Sequence, residues 1–250
     1  MDETRNDLVS LEVESRTGKR EVIIEPAASL GSAIYEDWVE ERRRLTDQYS
    51  NGQLGYIHIR GMNWPSFEVF ERELTASAYG KKGLIIDVRN NGGGWTTDMV
   101  MAVLNTRQHS YTVPRGATDD LKNHGQFKNN YPFGERLPFP VVKVPTIAMC
   151  NEGSYSNAEI FSHAYKALGH GKLVGTPTFG AVISTGGQGL IDGSFVRMPF
   201  RGWFVKESGM NMENNPATPD IIVEMLPDSK AKKSDPQLKR AVDELLSDLK

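Results

Sequence analysis

The sequence predicts an α/β protein built on a mainly parallel sheet. Three runs have strand length: Leu54–Ile59 is strand-like, G-L-I-I-D-V-R (83–89) is an apolar run of the buried type, and V-V-K-V-P-T-I-A-M-C (141–150) is another strand. Each is followed by a segment of helical length, at about 66–79, 96–105 and 156–168. Strands that alternate with such helices form βαβ units, and the strands so joined lie parallel. The length of 250 residues admits one large domain, or a domain with a small appendage.

Taken in order, residues 8–13 and 20–25 run apolar or alternate around T-G-K and read as a two-stranded hairpin. Pro26 closes it. Leu30–Tyr49 reads as a charged helix with Ile34, Trp38 and Leu45 on one side, and the R-R-R at 42–44 as its solvated face, balanced by nearby acids. The βαβ rhythm begins at Asn51-Gly52. Residues 106–137 are polar and rich in Gly, Pro and Asn, the longest stretch without periodicity; such loops are functional or disordered. Lys172–Val174 is a short strand, 181–205 is hairpin-like, and Gln237–Leu249 is a closing amphipathic helix.

The charge balance argues against some classes of function. With 29 Lys+Arg against 32 Asp+Glu and a net charge of −3, the chain has no electrostatic footprint for nucleic acid or an anionic membrane. Its apolar runs fall short of the ~18–20 residues that span a bilayer, and its first residues are not a signal peptide. A cytoplasmic protein is the expectation. One cysteine, Cys150, excludes an internal disulfide; at the end of a buried strand it reads as a small hydrophobe rather than a nucleophile. No cluster has metal-ligand spacing, and no cofactor or metal is expected.

Two strand-to-helix junctions hold the chemistry. In D-V-R-N-N-G-G-G-W (87–95) a strand runs into three glycines and a helix, which suits a phosphate cradle, an oxyanion hole or a plain tight turn. No phosphate-loop motif is present. Asp87 and Arg89 are expected to hold this turn through a charge-assisted bond. In C-N-E-G-S-Y-S-N-A-E-I-F (150–161), Ser156 stands where the helix begins and Glu159 completes the capping pattern S-x-x-E. A serine on such a junction is also how serine hydrolases expose a nucleophile, with the next amide helping to bind the oxyanion. Both junctions fall at carboxyl ends of strands, so they are expected to converge on one crevice.

These residues carry a resemblance. From about Tyr35 onward the chain resembles the tricorn branch of the tail-specific (carboxy-terminal-processing) serine protease family. The matching blocks, in family order, are G-Y-I-H-I (55–59), G-L-I-I-D-V-R-N-N-G-G-G (83–94), N-E-G-S-Y-S-N-A-E-I-F-S-H (151–163), L-G-H-G-K-L-V-G-T-P-T-F-G (168–180), L-I-D-G (190–193) and M-E-N-N-P-A-T-P-D (212–220). The resemblance implies a crotonase/ClpP-like spiral βαβ core over 51–250, a linking helix over 27–50, and over 1–26 the last strands of a PDZ domain. It implies that Ser156 is the nucleophile, that Gly93 and the amide of Asn157 form the oxyanion hole with Gly92 as the register alternative, and that Glu213 is the acidic member of the catalytic tetrad. It also implies a peptide or unfolded protein as substrate, upstream segments of the same full-length protein as partners, and homo-oligomers.

The departures from the family pattern matter as much. Where the lysine-dyad branch has its lysine after T-F-G, this chain has Ala181, and Asn157 stands where tricorn has Asp. In tricorn-like enzymes the general base is a histidine upstream of the PDZ domain. This chain is therefore expected to be weakly active or inactive alone. Of its own five histidines, His163 lies roughly 10 Å along the helix from Ser156, His170 falls at a helix end, and His58 lies on a strand face. His109 and His124 fall in or beside the long loop. Met210 and Met212 beside Glu213 line a peptide groove or pack ordinarily. The rival reading is a non-catalytic ligand- or peptide-binding module on the same fold. Acyl-CoA chemistry on a crotonase-type fold has only architecture behind it.

Overall fold

A strand buried along its whole length needs cover on both faces, and the apolar runs meet that need by stacking side by side. The computed structural model describes residues 7–106, 108–119, 122–130, 144–229 and 231–250. Five parallel strands form one sheet: β3 (Leu54–His58), β4 (Gly83–Asp87), β5 (Thr146–Cys150), β6 (Leu173–Gly175) and β9 (Ile221–Ile222), neighbours in that order. Tyr56 pairs with Ile85 and Ile85 with Ile147 in register. The fold is thus the expected α/β core with a mainly parallel sheet. The strand expected at 141–150 is observed over Thr146–Cys150, and its residues 141–143 lie outside the described residues, as does part of the 106–137 loop. Strand β9 is too short to show a sequence pattern.

Side chains alternate across a strand, so each one feeds two layers. Ile57, Leu84, Ile86, Ala148 and Cys150 pack with Phe67, Phe70, Val100, Met101, Phe161 and Tyr165, from α2 (Trp64–Ala78), α3 (Thr97–Asn105) and α4 (Asn157–Ala167). The C-terminal helix α5 (Pro236–Asp248) packs on β4, β5 and β6, burying Leu238, Ala241, Val242 and Leu245. A Cβ on Gly83 would come within 2.9 Å of Leu245, so the glycine lets this helix sit close. Helix α2 begins two residues before the expected start, because Asn63 accepts the Ser66 N–H at 3.0 Å and a proline occupies the first turn.

Two antiparallel hairpins complete the architecture. β1 (Val9–Ser15) pairs with β2 (Gly18–Ile24), and β7 (Ile183–Gly189) pairs with β8 (Phe195–Gly202), the latter with a bulge between Ser184 and Thr185. Helix α1 runs from Gly31 to Ser50, and the chain divides within it into compact units of residues 1–41 and 42–250. One expectation for this helix needs correction. The R-R-R run is not simply a solvated face: the Arg42 side chain is only 13% exposed, with its Nε 3.4 Å from Asp235, and Arg43 reaches Glu73 at 2.8 Å.

Candidate active site

The segments that follow β4 and β5 are stitched together. The Ser154 hydroxyl donates to the Val88 carbonyl at 2.8 Å and the Tyr155 N–H to the Asn91 carbonyl at 2.9 Å. Asn151 accepts the Asn90 N–H at 2.8 Å and donates back to the Asn90 side chain at 3.1 Å. Below them Arg89 bridges Asp87 at 2.7 Å and Asp235 at 2.9 Å, all three buried, and Tyr56 donates to Asp87 at 2.7 Å. The expected Asp87–Arg89 bond is present, with Asp235 of the distant C-terminal segment added to it. The two junctions therefore meet in one crevice.

Ser156 sits at this meeting point with φ 56° and ψ −113°, a backbone conformation that a non-glycine residue rarely adopts. Its carbonyl takes the Glu159 N–H at 2.9 Å, and its own N–H donates to Glu159 Oε1 at 3.0 Å. Glu159 is fully buried and does more than cap. It also accepts the Thr178 hydroxyl at 2.7 Å, the Ala181 N–H at 2.9 Å and the Gly180 N–H. The capping pattern marks only one of its roles, because its other partners lie some twenty residues downstream.

Gly93, with φ 84°, lies against the serine: a Cβ there would come within 2.8 Å of Ser156 Cβ and 3.0 Å of the Asn157 nitrogen. Its amide, however, donates to Asn91 Oδ1 at 2.9 Å. Gly92 lines the cavity in front of Ser156, and neither its amide nor that of Asn157 has a hydrogen-bond partner among the described residues. The Asn157 side chain accepts the Thr97 N–H at 2.9 Å, which couples the first turns of α3 and α4. Glu213 is half-buried and accepts the Val182 N–H at 2.7 Å through Oε2; it holds the segment that walls the cavity without itself lining it.

The cavity has a volume of about 540 Å³ and is bounded by the glycine loop, the start of α4, and the β7–β8 hairpin with Trp203. Arg197 and Arg201 on β8 also line it; nothing in the spacing of that exposed hairpin had marked them. No histidine lines it among the described residues. His58 is buried and shares a 2.8 Å hydrogen bond with the Arg89 carbonyl; burial lowers its pKa, partly opposed by Asp87. Burial likewise lowers the pKa of His163, which lines a different cavity. His124 pairs with the Tyr111 hydroxyl at 2.7 Å. Cys150 is buried and its thiol pKa is raised by desolvation, as suits a packing residue. Met212 is buried against Ile160 and Val182, so it packs.

The site thus sets a strained serine on a strand-to-helix turn at the carboxyl end of a parallel sheet, with a cavity in front of it. Residues 53–223 match the model of Peptidase family S41, and the chain belongs to that family. Tricorn protease of Thermoplasma volcanium is 34% identical over 216 residues, 86% of this chain and 19% of that protein. Tricorn protease homolog 1 of Streptomyces coelicolor is 32% identical over 224 residues, 89% of this chain and 20% of that protein. The crystal structure of the tricorn protease superposes with a TM-score of 0.82 at 31% identity, covering 99% of this chain and 23% of that one. The chain thus spans about a fifth of the length of these relatives. Among the described residues no helix is long and apolar enough to cross a membrane.

Proposed function

We propose that this chain is the core of a serine peptidase in which Ser156 is the nucleophile. The observation that carries this reading is Ser156 itself, held at φ 56° on the wall of a cavity beside the unpartnered Asn157 amide. Ser156 Oγ bonds to the carbonyl carbon of the scissile peptide while its proton passes to a base. The amine then leaves with a proton, and water hydrolyses the resulting acyl ester. The Asn157 N–H is one oxyanion donor. The second comes from the glycine loop: Gly93 serves if Asn91 releases its amide, and Gly92 offers an amide that is already open.

Glu213 has its second carboxylate oxygen without a partner among the described residues, and it orients the serine–base pair or a polar group of the substrate. In this reading the base is a histidine supplied by a segment of the longer protein outside residues 1–250, in keeping with the lack of a histidine in the cavity lining among the described residues. Peptides or unfolded proteins are the substrates, and residues 51–250 form the protease core.

Two measurements test this. Ser156→Ala in the full-length protein should abolish peptidase activity; unchanged turnover removes the assignment. A serine-reactive phosphonate should label Ser156 much more slowly in the 250-residue chain than in the full-length protein. Equal rates would overturn the external base.

A further inference from the structure

The cavity in front of Ser156 carries charge that the proposed hydrolysis leaves unused. Arg197 and Arg201 line it, and neither has an ion-pair partner among the described residues. Arg197 Nη2 donates to the Thr185 hydroxyl at 2.9 Å across the hairpin, and the Arg201 guanidinium lies 5.6 Å from the Phe200 ring centroid. These contacts orient the two groups but occupy few of the five N–H donors that each guanidinium carries. One carboxylate, Asp98 in the first turn of α3, lines the same cavity and pairs with neither arginine. A chain with net charge −3 thus turns an excess of positive charge toward its cleft.

The spacing narrows what this charge can receive. The register shift opposite Ser184 and Thr185 falls between the two arginines, so Arg197 pairs with Gly187 and Arg201 with Ser184, three residues apart on β7 or about 10 Å. Both line one cavity, so an extended peptide with more than one acidic side chain can present a carboxylate to each. Acidic side chains recurring along such a peptide meet both arginines, whereas a lone terminal carboxylate meets one. Guanidinium and carboxylate match as planar, bidentate partners. We infer that Arg197 and Arg201 are specificity-determining residues that make this cleft select acidic peptides, receiving Asp or Glu side chains of an extended substrate. The inference rests on the Ser156 cavity being the substrate cleft.

The test reads binding rather than turnover, so that it stands apart from the chemistry at Ser156. The Ser156→Ala form of the 250-residue chain is titrated against short fluorescent peptides with amidated C-termini, alike except for two glutamates, two glutamines or two lysines at the same positions. A further peptide carries the glutamines and a free C-terminal carboxylate. At low salt the glutamate peptide should bind roughly three- to tenfold more tightly than the glutamine peptide, and the lysine peptide more weakly than either. The preference should vanish in Arg197→Gln/Arg201→Gln, whose melting temperature should match the parent because both side chains are exposed. Arg201→Glu should shift the preference toward lysine. Equal binding of the glutamate and glutamine peptides overturns the inference. So does a preference that survives the double substitution, a gain from the free C-terminus alone, or no binding of any peptide. If instead the Ser156 assignment fails, turnover reveals it while these affinities stand.

Discussion

The Glu159 carboxylate accepts the backbone N–H of Ser156 at 3.0 Å from a fully buried position. The same carboxylate holds Thr178, Gly180 and Ala181, so one side chain fixes both the strained serine and the segment leading to the β7–β8 wall. Glu159→Gln keeps the shape but replaces one acceptor oxygen by a donor facing N–H groups. A buried polar group left unsatisfied costs about 1–3 kcal/mol. The full-length protein should lose about tenfold or more in kcat with a smaller change in KM, because the loss falls on placement of the nucleophile. A kcat within a factor of two of the parent would show that Ser156 does not depend on this carboxylate.

Gly93 lies where a side chain would strike the serine. At φ 84° an added Cβ would approach the Tyr155 carbonyl oxygen within 2.6 Å and Ser156 Cβ within 2.8 Å. Gly93→Ala should therefore displace the Ser156 turn and lower kcat/KM by at least about tenfold, with a stability loss of about 1–3 kcal/mol. For stability Gly92→Ala is the control, since a Cβ there meets nothing within 4 Å. Equal stability losses from both would refute the steric argument.

The parallel sheet and its order of elements could be read from the sequence because buried strands and amphipathic helices differ in period and in length. The convergence of the glycine loop with the serine turn followed from both lying at carboxyl ends of strands. The remainder depends on pairings between distant residues. Arg89 finds Asp235 across 146 positions, and Glu159 finds the Thr178–Ala181 segment, with no local pattern announcing either contact. The engagement of the Gly93 amide by Asn91 is local, yet a run of three glycines does not reveal which amide a neighbouring side chain takes.

Asp235 is the natural target for testing the ion cluster beneath the site. Its carboxylate takes Arg89 Nη1 at 3.0 Å and Nη2 at 2.9 Å, and it caps α5 by accepting the Leu238 N–H at 2.9 Å. Asp235→Ala removes the cap and takes one of the two carboxylates from Arg89, which keeps Asp87 and the Gln237 side-chain oxygen at 3.0 Å. Truncating one member of a buried pair costs about 3–5 kcal/mol, and the lost cap contributes about 1 kcal/mol of its own. Urea denaturation should show a loss in that range at pH 7. A loss under about 1 kcal/mol would mean that the guanidinium does not depend on Asp235.

The buried histidines set a direction for stability against pH. Burial holds His58 below its ordinary pKa, against the opposing pull of Asp87, and burial likewise lowers His163. The unfolded chain therefore binds protons that the folded one refuses once the pH falls below about 6.5. Stability from these groups is fully present above that value and is lost as the pH falls toward their folded-state pKa values. The slope is at most about 1.4 kcal/mol per pH unit for each histidine. Unfolding free energies measured from pH 8 to pH 5.5 should be flat above about 7 and decline below about 6.5. His58→Gln keeps a donor within reach of the Arg89 carbonyl while removing the titration, so it should flatten part of that decline. An unaltered pH profile in His58→Gln would show that His58 is not among the groups that resist protonation.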